Sequence, residues 1–256
     1  MRAVLVAAAA VSLLAFACRG SSTQAAPEKS MTEKPVPRLA VSPIAADRLC
    51  VTMGAAAIGA KVTEPTMRAV ALGSSGDAAS LSFVFRGNSA TTRELASGES
   101  RRQLGLKLRA QDGCNLIYVM WRLDPKPAVT VQLKLNPGKR THKECGANGY
   151  TRLKPSRIPG GTPGSLTAVP ALSPDEPHTL RAEISHDELL AWIDDLLVWR
   201  GPLPPDARGL SGPAGIRSDN VSFDLVSLSA PAPSASGGSS AGSPASKPKC
   251  EAEAGD

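Results

Sequence analysis

The stretch Val129-Thr130-Val131-Gln132-Leu133-Lys134-Leu135 alternates apolar and polar residues without a break. A period of two puts Val129, Val131, Leu133 and Leu135 on one face of an extended strand and Thr130, Gln132 and Lys134 on the other. A helix would need its apolar residues at intervals of three and four, so this segment reads as β. The same period recurs in both directions from it. Leu104, Leu106 and Leu108 alternate with Gly105, Lys107 and Arg109; Leu81, Phe83 and Phe85 share a face. Leu180, Ala182 and Ile184 alternate with Arg181, Glu183 and Ser185, and Val221, Phe223 and Leu225 close the series. Each is a strand with one face on a core and one polar face.

Turn chemistry separates these strands. Gln111-Asp112-Gly113 leads into Asn115–Leu123, Asp124-Pro125-Lys126-Pro127 turns the chain into Ala128–Leu135, and Asn136-Pro137-Gly138 ends that strand. The region Ser156–Pro177, rich in Pro and Gly from Pro159 to Gly164, reads as a long irregular loop. About nine to eleven short strands with turns between them, and no helix longer than about two turns, predict an all-β, two-sheet antiparallel β-sandwich.

Composition divides the chain. Residues 1–17 read as a signal peptide: Met1-Arg2 is a basic start, and Ala3 to Ala17 is apolar apart from Ser12. That run is shorter than the roughly 20 residues a membrane-spanning helix needs. Residues 18–40, rich in Ser, Pro, Lys and Glu, read as a flexible tether. Residues 41–229 hold all the Trp and Tyr and form one domain of about 190 residues, enough for a large core. Residues 230–256 are Ser/Pro/Gly-rich and read as a disordered tail.

Leu14-Ala15-Phe16-Ala17-Cys18 resembles the lipobox of bacterial lipoproteins, which implies lipidation at Cys18. Ala15 stands where such boxes usually carry Leu, and Ala15-Phe16-Ala17 also satisfies ordinary signal cleavage. We favour the lipoprotein, because a Cys directly follows the small residues and a polar tether follows the Cys. Arg19 is not the Asp that signals inner-membrane retention, so the resemblance implies the outer membrane; the alternative is a periplasmic or secreted protein. The lipid partner is then the cell envelope itself.

Four further cysteines, Cys50, Cys114, Cys145 and Cys250, are an even number for an oxidising compartment. Cys114 opens one strand and Cys145 follows the next strand and its loop, so Cys114–Cys145 is the expected disulfide, with Cys50 left for Cys250. His142 beside Cys145 is half a metal site without a second half.

In the C-terminal third, His178-Thr-Leu-Arg-Ala-Glu-Ile184, Glu188-Leu-Leu-Ala-Trp-Ile-Asp194-Asp195, Leu196-Leu-Val198, Gly212-Pro-Ala-Gly-Ile-Arg217 and Asn220-Val-Ser-Phe-Asp224 follow in order. This series resembles the closing strands of concanavalin A-like and laminin-G-like domains, and implies a jelly roll. Asp195 stands where that family usually has Gly, in a left-handed turn position that Asp tolerates better than most residues. Gly212 and Gly215 would relieve crowding where the chain re-enters the sheet. The resemblance does not reach Asn115–Tyr150, and it specifies fold more than function.

The net charge of +6 is spread out, with its densest spots at Arg101-Arg102 and at Lys139-Arg140 with Lys143. Neither lies on an amphipathic helix or among stacked aromatics, which argues against nucleic acid; acidic surface polymers are allowed but not indicated. No catalytic residues are assigned. The laminarinase-like glycosidases of this fold carry Glu-x-Asp-x-x-Glu on one strand, and the nearest acidic group here is Glu183, Asp187 and Glu188 around a turn. There is no Gly-x-Ser-x-Gly elbow, and Gly160-Gly-Thr-Pro-Gly164 leads to no phosphate-binding Lys-Ser/Thr. No cofactor is expected. A calcium site, known among the lectin-like relatives, would draw on Asp219, Asn220 and Asp224.

Aromatic faces stack on sugar C–H surfaces, so the ligand-binding candidates are Tyr118, Trp192 and Trp199, with the outward Lys107 and Arg109. Trp121 falls in step with Ile117 and Val119 and reads as core, whereas Tyr118 has the opposite parity and reads as a surface aromatic. Thr130, Gln132 and Lys134 join the outward set. The expected function is lectin-like recognition of a glycan or an envelope protein; the alternatives are a sugar-active hydrolase on the same fold and a purely structural envelope domain.

Overall fold

A computed structural model describes residues 38–156 and 168–233. The signal peptide, Cys18, most of the tether, the tail beyond residue 233 and Cys250 lie outside the described residues; Ala230, expected to open the tail, instead ends the last strand. The strands, in chain order, are β1 (Ser42–Pro43), β2 (Leu49–Met53), β3 (Lys61–Val62), β4 (Thr66–Ala71), β5 (Ala78–Asn88), β6 (Gln103–Leu108) and β7 (Leu116–Arg122). They continue with β8 (Ala128–Lys134), β9 (Tyr150–Arg152), β10 (Pro177–Ser185), β11 (Glu188–Ile193), β12 (Leu196–Pro202), β13 (Gly215–Asp219) and β14 (Val221–Ala230). Beyond the strands that alternation announces, β1, β3 and β9 span only two or three residues, too few to show a period. Two four-residue α-helices, α1 (His142–Cys145) and α2 (Pro205–Arg208), and a 3-10 turn at Ala46–Arg48 complete the described elements.

The strands form two antiparallel sheets. The first has the order β1-β14-β5-β10-β11-β12, with β3 also paired to β14; the second runs β2-β4-β13-β6-β7-β8-β9. The chain stays in the second sheet from β6 through β9, then builds β10 to β12 in the first. It re-enters the second sheet as β13 between β4 and β6, and returns to the first as β14 between β1 and β5. This is a jelly-roll β-sandwich. Because β13 lies between strands remote from it in sequence, its contacts could not be read from any one segment.

The alternating faces meet between the sheets. Leu81, Phe83 and Phe85 of β5, Leu104, Leu106 and Leu108 of β6, Ile117, Val119 and Trp121 of β7, and Val131 and Leu133 of β8 are all buried in one cluster. Burying each such side chain contributes about 1.5–3 kcal/mol. Phe83 meets Trp121 edge-on at 6.1 Å between ring centroids, a favoured geometry for opposed ring quadrupoles.

The turns follow the sequence chemistry. Asp194 and Asp195 both adopt positive φ, 46° and 66°, between β11 and β12, so the aspartates do occupy the left-handed positions of that hairpin. A Cβ on Gly212 would come within 2.5 Å of the Ala110 carbonyl, and one on Gly215 within 2.4 Å of Ala69 O; both glycines are required by crowding. The Cys114–Cys145 disulfide is present, with Cα atoms 5.9 Å apart. Cys50 is also disulfide-bonded, and its expected partner Cys250 lies outside the described residues.

Candidate functional site

Residues of the second sheet whose side chains point away from the core form the floor of a cleft of about 250 Å³. Register decides who meets whom there. In one row across the strands stand Lys107, Tyr118, Gln132 and Arg152; in the next, Arg68, Arg217, Gly105, Met120 and Thr130. Gly105 keeps the middle of the floor bare. A Cβ there would lie 2.1 Å from Val119 O and 2.9 Å from Met120 Sδ.

Arg217 leans over Tyr118 with its guanidinium carbon 4.8 Å from the ring centroid. Tyr118 is itself stacked on Tyr150, centroids 6.1 Å apart and planes 21° apart. Lys134 Nζ lies 5.2 Å from the Tyr150 ring centroid and donates to Gly113 O at 2.8 Å. Cations over aromatic faces gain from the ring quadrupole, most where water is excluded.

One buried carboxylate organises the arginines. Asp219 Oδ1 accepts from Arg68 Nη2 at 2.6 Å, and its Oδ2 accepts from Arg217 Nε at 2.9 Å and Gln103 Nε2 at 2.7 Å. Burial alone would raise the Asp219 pKa, but Arg217, Arg68 and the Gln103 amide outweigh it and hold the carboxyl below its usual range. Arg68 also donates to Met67 O and Ser218 O, which fixes its plane against the sheet.

Two walls rise from this floor. One is the segment 93–101, clamped at its base by Asn220. That side chain accepts from Arg93 N at 2.7 Å and donates to Arg93 O and Arg101 O, each at 2.9 Å. The other wall is α1 with Gly146 and Ala147. Glu144 Oε2 accepts from Thr141 N and Thr141 Oγ1, each at 2.8 Å, and from Arg140 N at 3.1 Å. Those bonds hold the Glu144 carboxyl at about 2. The Cys114–Cys145 bridge ties α1 to the start of β7. Asn136 Nδ2 adds bonds to Cys114 O and Asn148 O at 3.2 and 3.1 Å.

The structure distributes the sequence candidates unevenly. Tyr118 lines the cleft, but as a floor residue, 1% exposed beneath Arg217, and not as an exposed platform. Lys107 is its buried register neighbour. Arg109 lies outside the cleft lining and pairs with Asp77 at 2.6 Å. Trp199 is buried in the core between the sheets, because β12 turns that face inward. Trp192 lies on the outer face of the first sheet beneath the Arg38 guanidinium, 5.0 Å from its ring. Trp121 is in the core.

The acidic group divides as well. Glu183 accepts from Leu39 N and Arg181, Asp187 pairs with Arg208, and Glu188 pairs with Arg200. The oxygens considered for calcium are engaged elsewhere: Asp219 by two arginines, Asn220 by the wall segment, and Asp224 by Arg86 at 2.6 Å. Cys145, the partner considered for His142 in a metal site, is in the disulfide. Arg68, Gln103, Met120, Tyr150 and Arg217 join the site only through the sheet. Alternation gives the outward parity of Gln103 and Met120, but not that of Tyr150 on its three-residue strand, nor which strands lie side by side.

No family model matches the chain, and no curated protein matches it. Among solved structures, the chain is similar to the carbohydrate-binding module CBM66 from Bacillus subtilis, at 10% identity and a TM-score of 0.46, over 71% of this chain and 93% of that one. It is also similar to a tetrameric galectin from the ball sponge Cinachyrella sp., at 17% identity and a TM-score of 0.34, over 65% of this chain and 99% of that one. A third is a GH43 protein from Bacillus licheniformis, at 12% identity and a TM-score of 0.37, over 64% of this chain and 28% of that one. Likenesses this distant say nothing of what the cleft holds.

Proposed function

We propose that the chain is a recognition module of the bacterial cell envelope, anchored through Cys18, that holds a glycan in the outward cleft of its second sheet. The observation that carries this reading is the stacked Tyr118–Tyr150 pair set among Gln103, Gln132 and Arg217 in one cleft. Sugars present flat C–H faces edged by hydroxyls. A site for them combines ring surface, here the half-buried Tyr150 backed by Tyr118, with fixed hydrogen-bonding planes. The cleft volume lies just below the ~300–1,000 Å³ of drug-sized pockets and suits a short saccharide segment.

We read the cleft as binding without hydrolysis, and its lining supports that reading. Glycosidases need two carboxyl groups about 5–9 Å apart across the scissile bond. The described lining of this cleft includes one carboxylate, Glu94. The full-length chain on a glycan array should retain a defined subset of saccharides, and Tyr150→Ala should lower that retention at least tenfold while leaving the circular dichroism unchanged. Retention that ignores Tyr150→Ala would remove the cleft from the account. Release of reducing sugar, lost in Glu183→Gln or Glu188→Gln, would replace binding with hydrolysis. The anchor is tested separately: the chain should take up labelled palmitate in a Gram-negative host, and Cys18→Ser should not.

A further inference from the structure

The end of the stretch read as tether is docked on the domain. Arg38 and Leu39 lie across the outer face of the first sheet, on the opposite side of the sandwich from the cleft, between β1 and the turn that joins β11 to β12. On that face Arg181 and Glu183 of β10 point outward, two residues apart, and register sets Trp192 of β11 beside Arg181. The charged pair grips both polar groups of one residue. Leu39 N donates to Glu183 Oε2 at 3.1 Å, and Arg181 Nη2 donates to Leu39 O. Arg181 Nη2 also donates to Glu183 Oε2 at 3.0 Å, which joins the two grips. One residue earlier, the side chain is read instead. The Arg38 guanidinium carbon lies 5.0 Å from the Trp192 ring centroid, while Nη1 and Nη2 donate to Asp195 Oδ1 and Asp195 O at 2.5 and 3.4 Å.

We propose that this face is a second binding site, for an extended arginine-bearing peptide of a partner protein, and that the chain fills it with its own Arg38–Leu39 as an exchangeable strap. The backbone grip accepts any extended segment. Trp192 and Asp195 together select arginine, because a planar guanidinium stacks and forks at once, as a lysine ammonium cannot. The strap can exchange because it is held lightly. Leu39 is 38% exposed, so no apolar plug retains it. The Arg38 and Asp195 side chains are 38% and 86% exposed, and a pair that open contributes little. Closure also leaves Glu183 Oε1 and Arg181 Nε buried without a hydrogen-bond partner among the described residues. Lifting the strap gives both atoms water, so opening recovers part of what it breaks. Trp192, expected from the sequence to meet a ligand, meets one that the chain itself supplies.

Two measurements on the full chain test the proposal. Trypsin should cut the Arg38–Leu39 bond at least ten times more slowly in the wild type than in Asp195→Asn, with the Lys29–Ser30 bond of the same chain as reference. A docked Leu39 has both its polar groups engaged and cannot enter a protease cleft. Equal rates would show that the strap does not dock, and would end the proposal. Exchange is read by calorimetry with the peptide Val36–Val41, blocked at both ends. In Arg38→Asp the strap meets a like charge at Asp195 and lifts, so this variant should bind the peptide at least ten times more tightly than the wild type does. Arg38→Gln within the peptide should abolish that binding. No binding to the Arg38→Asp chain at about 1 mM peptide would make the strap a fixed brace and the binding site wrong. A concentration-dependent dimer of the wild type, lost in Arg38→Asp, would give the site to a second copy of this chain and overturn the partner assignment.

Discussion

On the first sheet the outward positions are largely small and neutral, Ser80, Ser82, Thr179, Ser227 and Ser229, and the arginines there have carboxylates of their own. Arg86 pairs with Asp224 and Asp175, Arg181 with Glu183, and Arg200 with Glu188. On the second sheet the same kind of position is filled by long and charged side chains. There two guanidiniums share Asp219, and two lysines are buried with them. The strand period is the same on both sheets, and so is the core between them. What differs is how the carboxylates are used: on the second sheet Arg68 and Arg217 converge on one buried Asp219, whereas on the first Asp175 and Asp224 both serve Arg86. A partly exposed pair such as Arg200–Glu188 contributes little to stability. A buried cluster such as the one at Asp219 costs desolvation, and is kept in place by the bonds around it.

The contrast should be largest when the shared carboxylate is removed. Asp219→Asn takes away the charge that Arg68 and Arg217 both face, and should lower unfolding free energy by about 3–5 kcal/mol in a urea titration. A cost no greater than that of a first-sheet pair would break the comparison. Next in size is the tie that holds the wall of the cleft. Replacing Cys114 and Cys145 together by Ala opens a loop with a sequence separation of 31. It should cost about 3–4 kcal/mol in the chain-entropy model and reduce glycan retention along with stability.

On the first sheet, Glu188→Gln breaks a pair with Arg200 whose side chains are both about one-third exposed. Its cost should stay within about 0–1 kcal/mol, screened further by salt, in the same urea assay. The smallest effect concerns Glu144. Its pKa of about 2 lies below that of an unfolded Glu, so its bonds to Thr141 and Arg140 stabilise the fold above the ordinary carboxylate range. That contribution is lost as pH falls through about 2. A carbon-detected NMR titration should place the midpoint near that value, and Thr141→Val should move it upward; a midpoint near 4 would show the cap to be unformed.

The strands and their faces were legible because a period of two needs no partner to be seen. Trp121 read as core and lies there; Tyr118 read as outward and is on the outer face. Its burial was not legible, since parity says which side a residue takes and not what lies over it. Trp199 shows the converse limit: its place on a strand points to a ligand, and β12 puts it in the core. The family-like segment, from His178 to Asp224, located the closing hairpins and the two crowded glycines. Much of the cleft floor comes from Asn115–Tyr150, where that resemblance is silent.

By itself, then, the sequence determined an all-β sandwich, the inward and outward sides of its main strands, and the pairing of Cys114 with Cys145. These depend on local alternation and on the order of neighbouring elements. The meeting of Arg68, Gln103 and Arg217 at Asp219 is not written in any local pattern. Arg68 and Arg217 stand side by side because β13 inserts between β4 and β6. That insertion is fixed by which strand edges and apolar faces fit across the whole sandwich, a competition among segments far apart in the chain that no single segment records.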